Sequence, residues 1–178
     1  MLKTSNLVRG ALAAASFLIA GSALAEGTWQ PEIGWGQIAG GAVYRDNSGY
    51  SNRAPSIDLA FGYRWDNGLG IRALYIGAVD PFKDFLVESP ARSFNDFDGV
   101  QATGNFSLAN KLDLTAGLGL GRTSLNHGQA GDHRELLEPV GSAGLRYQFF
   151  SHFALELKAD YLARTHEHNV ALMAEIPF

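Results

Sequence analysis

The chain has 178 residues, no cysteine, 14 basic and 18 acidic residues, and a formal net charge of −4. This acidic balance argues against nucleic acid as a partner, because nucleic-acid-binding proteins carry a basic stripe. Since no disulfide can form, the chain must be held by core packing or by closed hydrogen bonding. Its 21 glycines exceed average usage of about 7% and, with plentiful aromatic residues, favour a barrel or sandwich of short strands.

The first 25 residues have the pattern of a secretory signal peptide. Lys3 and Arg9 precede an apolar run from about Ala11 to Ala20, and Ala23-Leu24-Ala25 is a small-residue cleavage pattern. The apolar run is too short to cross a bilayer as a helix. We predict that residues 1–25 are removed and that residues 26–178 form one domain.

Eight segments alternate apolar and polar side chains with the period of two that is typical of strands. In chain order they are 28–39, 56–65, 69–78, 100–108, 112–120, 138–149, 153–163 and 168–178. Each is roughly ten residues long, which is the length that a tilted strand needs to cross a bilayer. Long segments (40–55, 79–97 and 124–137) alternate with tight turns such as Asp66-Asn67-Gly68 and Ala109-Asn110-Lys111, and only the last connection, Arg164–Glu167, breaks the rule by being brief.

The hairpin from Val100 to Leu120 shows the alternation most clearly, with leucines on one face and small polar residues on the other. Along all the strands the polar face carries the charges, namely Glu32, Asp58, Arg64, Arg72, Arg146, Glu156, Lys158, Asp160 and Glu175. A soluble sandwich would show the same alternation. The aromatic residues beside the short turns are instead typical of a membrane-interface girdle: Trp29, Tyr63, Trp65, Tyr147, Phe149 and Phe153. We predict an all-β fold, an eight-stranded antiparallel up-and-down transmembrane β-barrel, with a periplasmic sandwich or lipocalin-like barrel as the alternative.

The residues from position 26 onward resemble the transmembrane domain of the OmpA-type outer-membrane proteins. The resemblance is carried by GTWQPEIGWGQ at Gly27–Gln37, GVQATGNFSLANKLDLTAGLGLGR at Gly99–Arg122, EPVGSAGLRYQF at Glu138–Phe149 and the terminal Phe178. It implies a barrel in the cell outer membrane, with both ends in the periplasm and ion pairs in its interior. It also implies assembly by the outer-membrane machinery through a C-terminal strand that ends in Phe178, although Ile176 and Pro177 depart from the usual ending.

The resemblance further implies a pairing of interior charges. In OmpA-type barrels a glutamate of strand three pairs with an arginine of strand seven, and Arg72 and Glu156 occupy those positions with the charges exchanged. We therefore expect Arg72 and Glu156 to form an interior pair, with Arg146 and Asp160 or Lys158 nearby. An eight-stranded barrel is just wide enough for side chains to fill it, so the lumen is predicted to be plugged by charges.

Other sites are weighed against this interpretation. His127, His133, His166 and His168 fall in the predicted third and fourth loops and, with Asp132 or Glu167, could bind a divalent metal; solvated loop histidines are the alternative. Arg45, Arg53, Lys83 and Arg92 could contact lipopolysaccharide phosphates or a host ligand, or could simply be solvated. Lipid A deacylases, which are also small outer-membrane barrels, place His-x-Ser on their penultimate strand, where this chain has Asp160-Tyr161-Leu162 and so lacks the nucleophile and the base.

The predicted function is a structural or surface-loop role, such as adhesion, for a monomeric outer-membrane barrel without a cofactor. Its expected partners are outer-membrane lipids, lipopolysaccharide and the assembly machinery. A narrow porin-type channel for small solutes is the first alternative, and a lipid A-modifying enzyme is the second.

Overall fold

In the computed structural model of the protein, residues 26–40, 53–79, 93–127 and 132–178 are described, and the predicted signal peptide lies outside these ranges. The strands are β1 (Gly27–Gly40), β2 (Arg53–Trp65), β3 (Leu69–Ala78), β4 (Ser93–Ala109), β5 (Leu112–His127), β6 (Asp132–Phe150), β7 (Phe153–Leu162) and β8 (Glu167–Glu175). Within the described ranges, no helix is long and apolar enough to cross a membrane.

The eight strands form one closed antiparallel barrel in which each strand pairs with its neighbours in the sequence and β1 pairs with β8. The pairing with β1 continues beyond the end of β8. Ile176 donates its backbone N–H to the carbonyl of Pro31 at 3.1 Å, and the backbones of Phe178 and Trp29 exchange two hydrogen bonds of 3.0 Å. The predicted eight-stranded up-and-down barrel is therefore confirmed.

The turns at 66–68, 110–111 and 151–152 lie at one end of the barrel, which we call the short-turn end. The opposite end is the long-loop end, where the 163–166 turn also lies. The turn at Asp66-Asn67-Gly68 was predicted correctly, and Gly68 has a φ of 83°, which explains why glycine suits that position. A second glycine leaves room inside the barrel: a Cβ on Gly121 would clash with the ring of Phe97 and with the backbone carbonyl of Asp98. Close approach of this ring to the β5 backbone therefore requires glycine.

The outward face is apolar over the middle of the barrel. Exposed large side chains include Ile33, Trp35, Leu59, Phe61, Leu114, Leu118, Leu145, Leu157, Val170 and Leu172. At the short-turn end, Trp29 stacks on Phe61 at 5.1 Å and contacts Tyr63 edge-on at 4.8 Å, and further ring contacts join Tyr147, Phe149 and Phe153. Trp65 differs from the predicted girdle because only 8% of it is exposed.

Three neighbouring strands extend much farther toward the long-loop end than the sequence predicted. β4, β5 and β6 have 17, 16 and 19 residues, and they pair from Ser93↔Asn126 and His127↔Asp132 onward. The prediction of a long third loop at 124–137 was therefore wrong. The outward positions of these extensions carry charged residues such as Arg122, so the apolar alternation ends although the strands continue.

Candidate functional site

The lumen contains most of the buried charged side chains, and we consider it the first candidate site. Three cations on the inward face each contact two carboxylates: Arg72, Arg146 and Lys158. All three are buried. Burying charge without partners is costly, so this arrangement explains how the polar face of the strands is accommodated.

Arg72 on β3 lies between Glu32 of β1 and Glu156 of β7. Its Nε is 3.0 Å from Glu32 Oε1, and its Nη2 donates a hydrogen bond of 2.9 Å to Glu156 Oε2. Thr115 on β5 donates its hydroxyl to the other oxygen of Glu156. The structure thus brings Arg72 and Glu156 together and adds Glu32 as a second carboxylate, so the cluster connects β1, β3, β5 and β7 across the lumen.

Arg146 on β6 forms a second cluster, nearer the short-turn end. Its Nε and Nη2 donate to the two carboxylate oxygens of Glu175 at 2.7 and 2.9 Å, which is a bidentate pair. Its Nη1 donates to Asp113 Oδ2 at 3.2 Å. Arg146 was expected near the Arg72–Glu156 pair, and it is the register partner of Glu156, but its own ion pairs are with Glu175 and Asp113.

Lys158 on β7 belongs to the third cluster, with Asp160 and Asp58. Lys158 Nζ lies 3.1 Å from Asp160 Oδ2 and 3.7 Å from Asp58 Oδ2. The amide of Asn169 donates to Asp58 at 2.6 Å and to Asp160 at 3.3 Å, and it accepts from Ser56 at 2.8 Å. Lys158 is fully buried, so solvent does not reach the cation.

The part of the lumen nearer the long-loop end is largely apolar, which the sequence analysis did not predict. A cluster of buried side chains fills it: Ile38, Ala54, Ala60, Leu74, Ile76, Phe94, Phe97, Leu125, Val140, Leu162, Ala171 and Met173. Four of them lie in segments that were predicted as loops, namely Ala54, Phe94, Phe97 and Leu125, and the others occupy the strand parity that was expected to be polar. The lumen is therefore occupied by ion clusters and by an apolar layer that adjoins them, since Met173 pairs with Glu156 and Ala171 with Lys158. Two buried acids, Glu138 and Glu167, also lie toward the long-loop end.

At the same height as this layer, the outer surface of β4–β6 carries charge. Arg122 donates to Asp98 at 3.2 Å and to Glu135 at 3.1 Å, and each of these three side chains is more than half exposed. Charges on the outward face show that this part of the sheet has an aqueous environment. Arg122 therefore marks the upper limit of the apolar band.

A second rim cluster lies at the β7–β8 turn. The hydroxyl of Tyr161 is 2.9 Å from Nδ1 of His166, and its ring centre is 4.9 Å from that of His168. Among the described residues, no three His, Asp or Glu side chains are placed to hold a metal ion. His127 and His133 belong to β5 and β6, so these histidines lie in strands and not in a loop.

The positions compared with a deacylase dyad have other contacts. Asp160 is buried against Lys158, Tyr161 points outward beside His166, and Leu162 belongs to the apolar layer. Of the arginines and lysine proposed to contact lipopolysaccharide, Arg53 lies in β2, and Arg45, Lys83 and Arg92 lie outside the described residues.

The sequence analysis did not identify Glu138 as a buried acid. Both of its carboxylate oxygens are engaged, by the backbone N–H of Arg164 and by the hydroxyl of Thr123 at 3.4 Å. Glu138 therefore fastens the 163–166 turn to β6. The sequence alternation assigns Glu138 to the inward face of β6. Because the predicted strand began at this residue, however, the sequence gave no partner for its carboxylate.

No family model matches the chain, and no curated protein matches its sequence. Solved structures do share the fold. Ail, the attachment invasion locus protein of Yersinia pestis, in complex with the heparin analogue sucrose octasulfate, is 20% identical, with 86% of this chain and 99% of that chain covered and a TM-score of 0.55. Neisserial surface protein A is 16% identical over 85% and 97% of the two chains, with a TM-score of 0.57. The N-terminal β-barrel domain of Pseudomonas aeruginosa OprF is 15% identical over 86% and 100%, with a TM-score of 0.58. The fold is that of small outer-membrane barrels.

Proposed function

We propose that the chain is a monomeric protein of the outer membrane that presents its long-loop end to the exterior for binding to another protein. The observation that carries the proposal is the extension of β4–β6 beyond the charged outer surface at Arg122, which no requirement of membrane spanning explains. The apolar outward band and the aromatic girdle support the placement in a membrane. Ail, one of the proteins of similar fold, is named for attachment.

The extension offers a free backbone edge on β6. The last residue pair of β6 and β7 at that end is Val140↔Leu162, whereas β6 continues for eight more residues toward the long-loop end. Pro139, which lacks an N–H, stands where the two strands separate, and its carbonyl accepts the N–H of Ala163 at 3.0 Å. Beyond it, the edge side of β6 has no strand neighbour among the described residues. Such an edge can bind an extended segment of a partner protein as an added strand.

The closed lumen argues against the first alternative, a channel for small solutes. An ion would have to pass both the buried clusters and the apolar layer. We also propose that the chain is not a lipid A-modifying enzyme, because Asp160 is held by Lys158 and the neighbouring positions supply no serine nucleophile. Reconstituted protein should show no steady conductance in planar bilayers, and lipid A from expressing cells should be unmodified by mass spectrometry.

The edge itself is tested by two substitutions at one position. Glu135→Pro and Glu135→Ala both remove the contact with Arg122, but only proline also removes the backbone N–H on the free side of β6. In non-adherent bacteria that express equal amounts of folded protein at the surface, Glu135→Ala should retain adherence to epithelial cells and Glu135→Pro should lose most of it. Equal adherence of the two variants, or none for the unmodified protein, would contradict the proposal.

A further inference from the structure

The outward face of β5–β8 carries a groove that the closed lumen does not explain. Small residues, Gly141, Ala143 and Ala159, form its floor, and it is bounded by Leu118, Tyr161, His168 and Val170, with a volume of about 390 Å³. A second depression of about 290 Å³ continues it over Ala143 and Ala159 to Leu114, Leu145 and Leu157. Alanines recur in one cross-strand row, Ala116↔Ala143↔Ala159, between rows of larger side chains. The two depressions share Ala143, Ala159 and Val170 and together form a shallow, mainly apolar groove on the barrel surface.

Nitrogen donors surround the end of the groove nearest the rim. Tyr161 positions both imidazoles, through its hydrogen bond to His166 and its ring contact with His168. On the other side, Arg164 is exposed, and its Nη1 donates to the backbone carbonyl of Leu137 at 3.1 Å, which leaves other guanidinium N–H groups free to donate. At this end of the groove His168 lines the depression itself, His166 is hydrogen-bonded to the lining residue Tyr161, and Arg164 belongs to the same 163–166 turn.

A second arginine extends this rim in the other direction. The register places Tyr161, His168, Ala39 and Arg53 in one row across β7, β8, β1 and β2. With strands about 4.8 Å apart, the backbones of His168 and Arg53 are about 10 Å apart, and only the small side chain of Ala39 separates them.

Among the described residues, the outward strand positions on this side of the barrel include no acidic side chain. The described outward side chains of β7, β8, β1 and β2, and the 163–166 turn, include no carboxylate, and Glu167 is inward and buried. On β4–β6, by contrast, Arg122 already has two carboxylate partners. The charge at the groove mouth is therefore available to an anionic ligand.

We propose that the groove binds lipid A. A phosphate accepts hydrogen bonds from Arg164, His166 and His168, with Arg53 adding positive charge, and an acyl chain lies along the alanine floor. Guanidinium groups suit phosphate because several N–H donors lie in one plane. The apolar groove favours a lipid over free phosphate as the ligand, because free phosphate would leave the groove unfilled. This inference rests on the outer-membrane location in the proposed function, but it is tested by lipid binding and not by adherence.

Native mass spectrometry of the full folded protein in detergent tests the site with three probes: bisphosphorylated lipid A, the same lipid without phosphates, and inorganic phosphate. The double variant Arg164→Gln/His168→Gln removes donors from the mouth, and Ala159→Leu fills the floor. Matched controls elsewhere on the outward surface are Arg122→Gln and Ala73→Leu. Heat-modifiable gel migration shows that each variant is folded.

We expect lipid A to bind the unmodified protein and both controls alike, and each groove variant at least about tenfold more weakly, since a hydrogen bond to a charged group or a lost apolar contact contributes on this scale. Lipid without phosphates should bind at least tenfold more weakly than lipid A. The proposal is overturned if the two lipids bind equally, if inorganic phosphate binds as tightly as lipid A, or if either groove variant retains full affinity. None of these results depends on adherence, so they leave the β6-edge proposal to its own test.

Discussion

Replacing Arg72 by methionine removes the cation from the cluster that connects β1, β3 and β7. Glu32 and Glu156, whose side chains are 0% and 1% exposed, then remain as two buried carboxylates without their cation. At about 3 Å and an effective dielectric constant of about 20, each ion pair contributes on the order of 5 kcal/mol of Coulomb energy. Removing Arg72 also removes its own desolvation cost, so a net loss of about 3–5 kcal/mol in the free energy of unfolding is expected.

Urea unfolding in detergent micelles measures this loss, with fluorescence of Trp29, Trp35 and Trp65 as the signal. The matched control is Arg122→Met, because Arg122 also lies between two carboxylates but at the exposed surface. Its midpoint should be unchanged within error, because exposed ion pairs contribute little. If Arg72→Met shifted the midpoint no more than Arg122→Met, the reasoning about buried charge would be refuted.

A second test of the same cluster replaces all three charges. The triple variant Arg72→Met, Glu32→Leu, Glu156→Leu should recover most of the stability lost by Arg72→Met alone, because apolar side chains of similar volume leave no charge unpaired. A triple variant less stable than the single one would mean that packing, and not charge, dominates at this level of the lumen.

Three further outcomes follow from the upper half of the barrel. Glu138→Leu should leave the Arg164 N–H unsatisfied at a cost of about 1–3 kcal/mol and should speed tryptic cleavage after Arg164, as followed by mass spectrometry; an unchanged cleavage rate would show that the turn is held otherwise. Phe97→Ala should cost about 3–5 kcal/mol by leaving a cavity in the apolar layer, whereas outward Phe106→Ala should cost far less, both by urea unfolding. Gly121→Val should be destabilised by about 1–3 kcal/mol in the same assay, because its Cβ meets the Phe97 ring; a stability equal to that of the unmodified protein would show that the ring can move away.

The strand number, the antiparallel order and the short turns could be predicted because alternation with a period of two is a local signal. The extensions of β4–β6 could not be predicted, because the alternation is visible only where the outward side chains face lipid and are apolar. Once Arg122 and Glu135 face water, the outward positions lose their apolar character while the backbone pairing continues. The sequence of 124–137 lacks apolar alternation because its outward positions face water, and this was wrongly interpreted as the absence of strand structure.

The lumen was predictable only in part for a related reason. The parity of a strand shows which charges point inward, and Arg72, Arg146, Glu156, Lys158 and Asp160 do so. Parity does not show the register between neighbouring strands. The contacts of Arg146 with Glu175 and Asp113 depend on that register, so the sequence leaves them open.

Inward apolar residues were harder still. Ile76, Leu162 and Met173 occupy the parity assigned to polar residues, and a rule that expects polar lumen positions gives them no role. Only the structure shows that they meet one another across the barrel axis.

The apolar layer and the charges around Arg122 lie at one height, so the radial order of the barrel reverses along its axis. Below that height apolar side chains point outward and charged side chains point inward. At that height Asp98 and Arg122 point outward, while Phe97 and Leu125 point inward. Moving the barrel deeper would drag the outward charges into hydrocarbon, and raising it would expose the leucine band to water. The first displacement is opposed by the cost of burying charge and the second by the cost of exposing apolar surface. The reversal therefore fixes the depth of the barrel in the membrane.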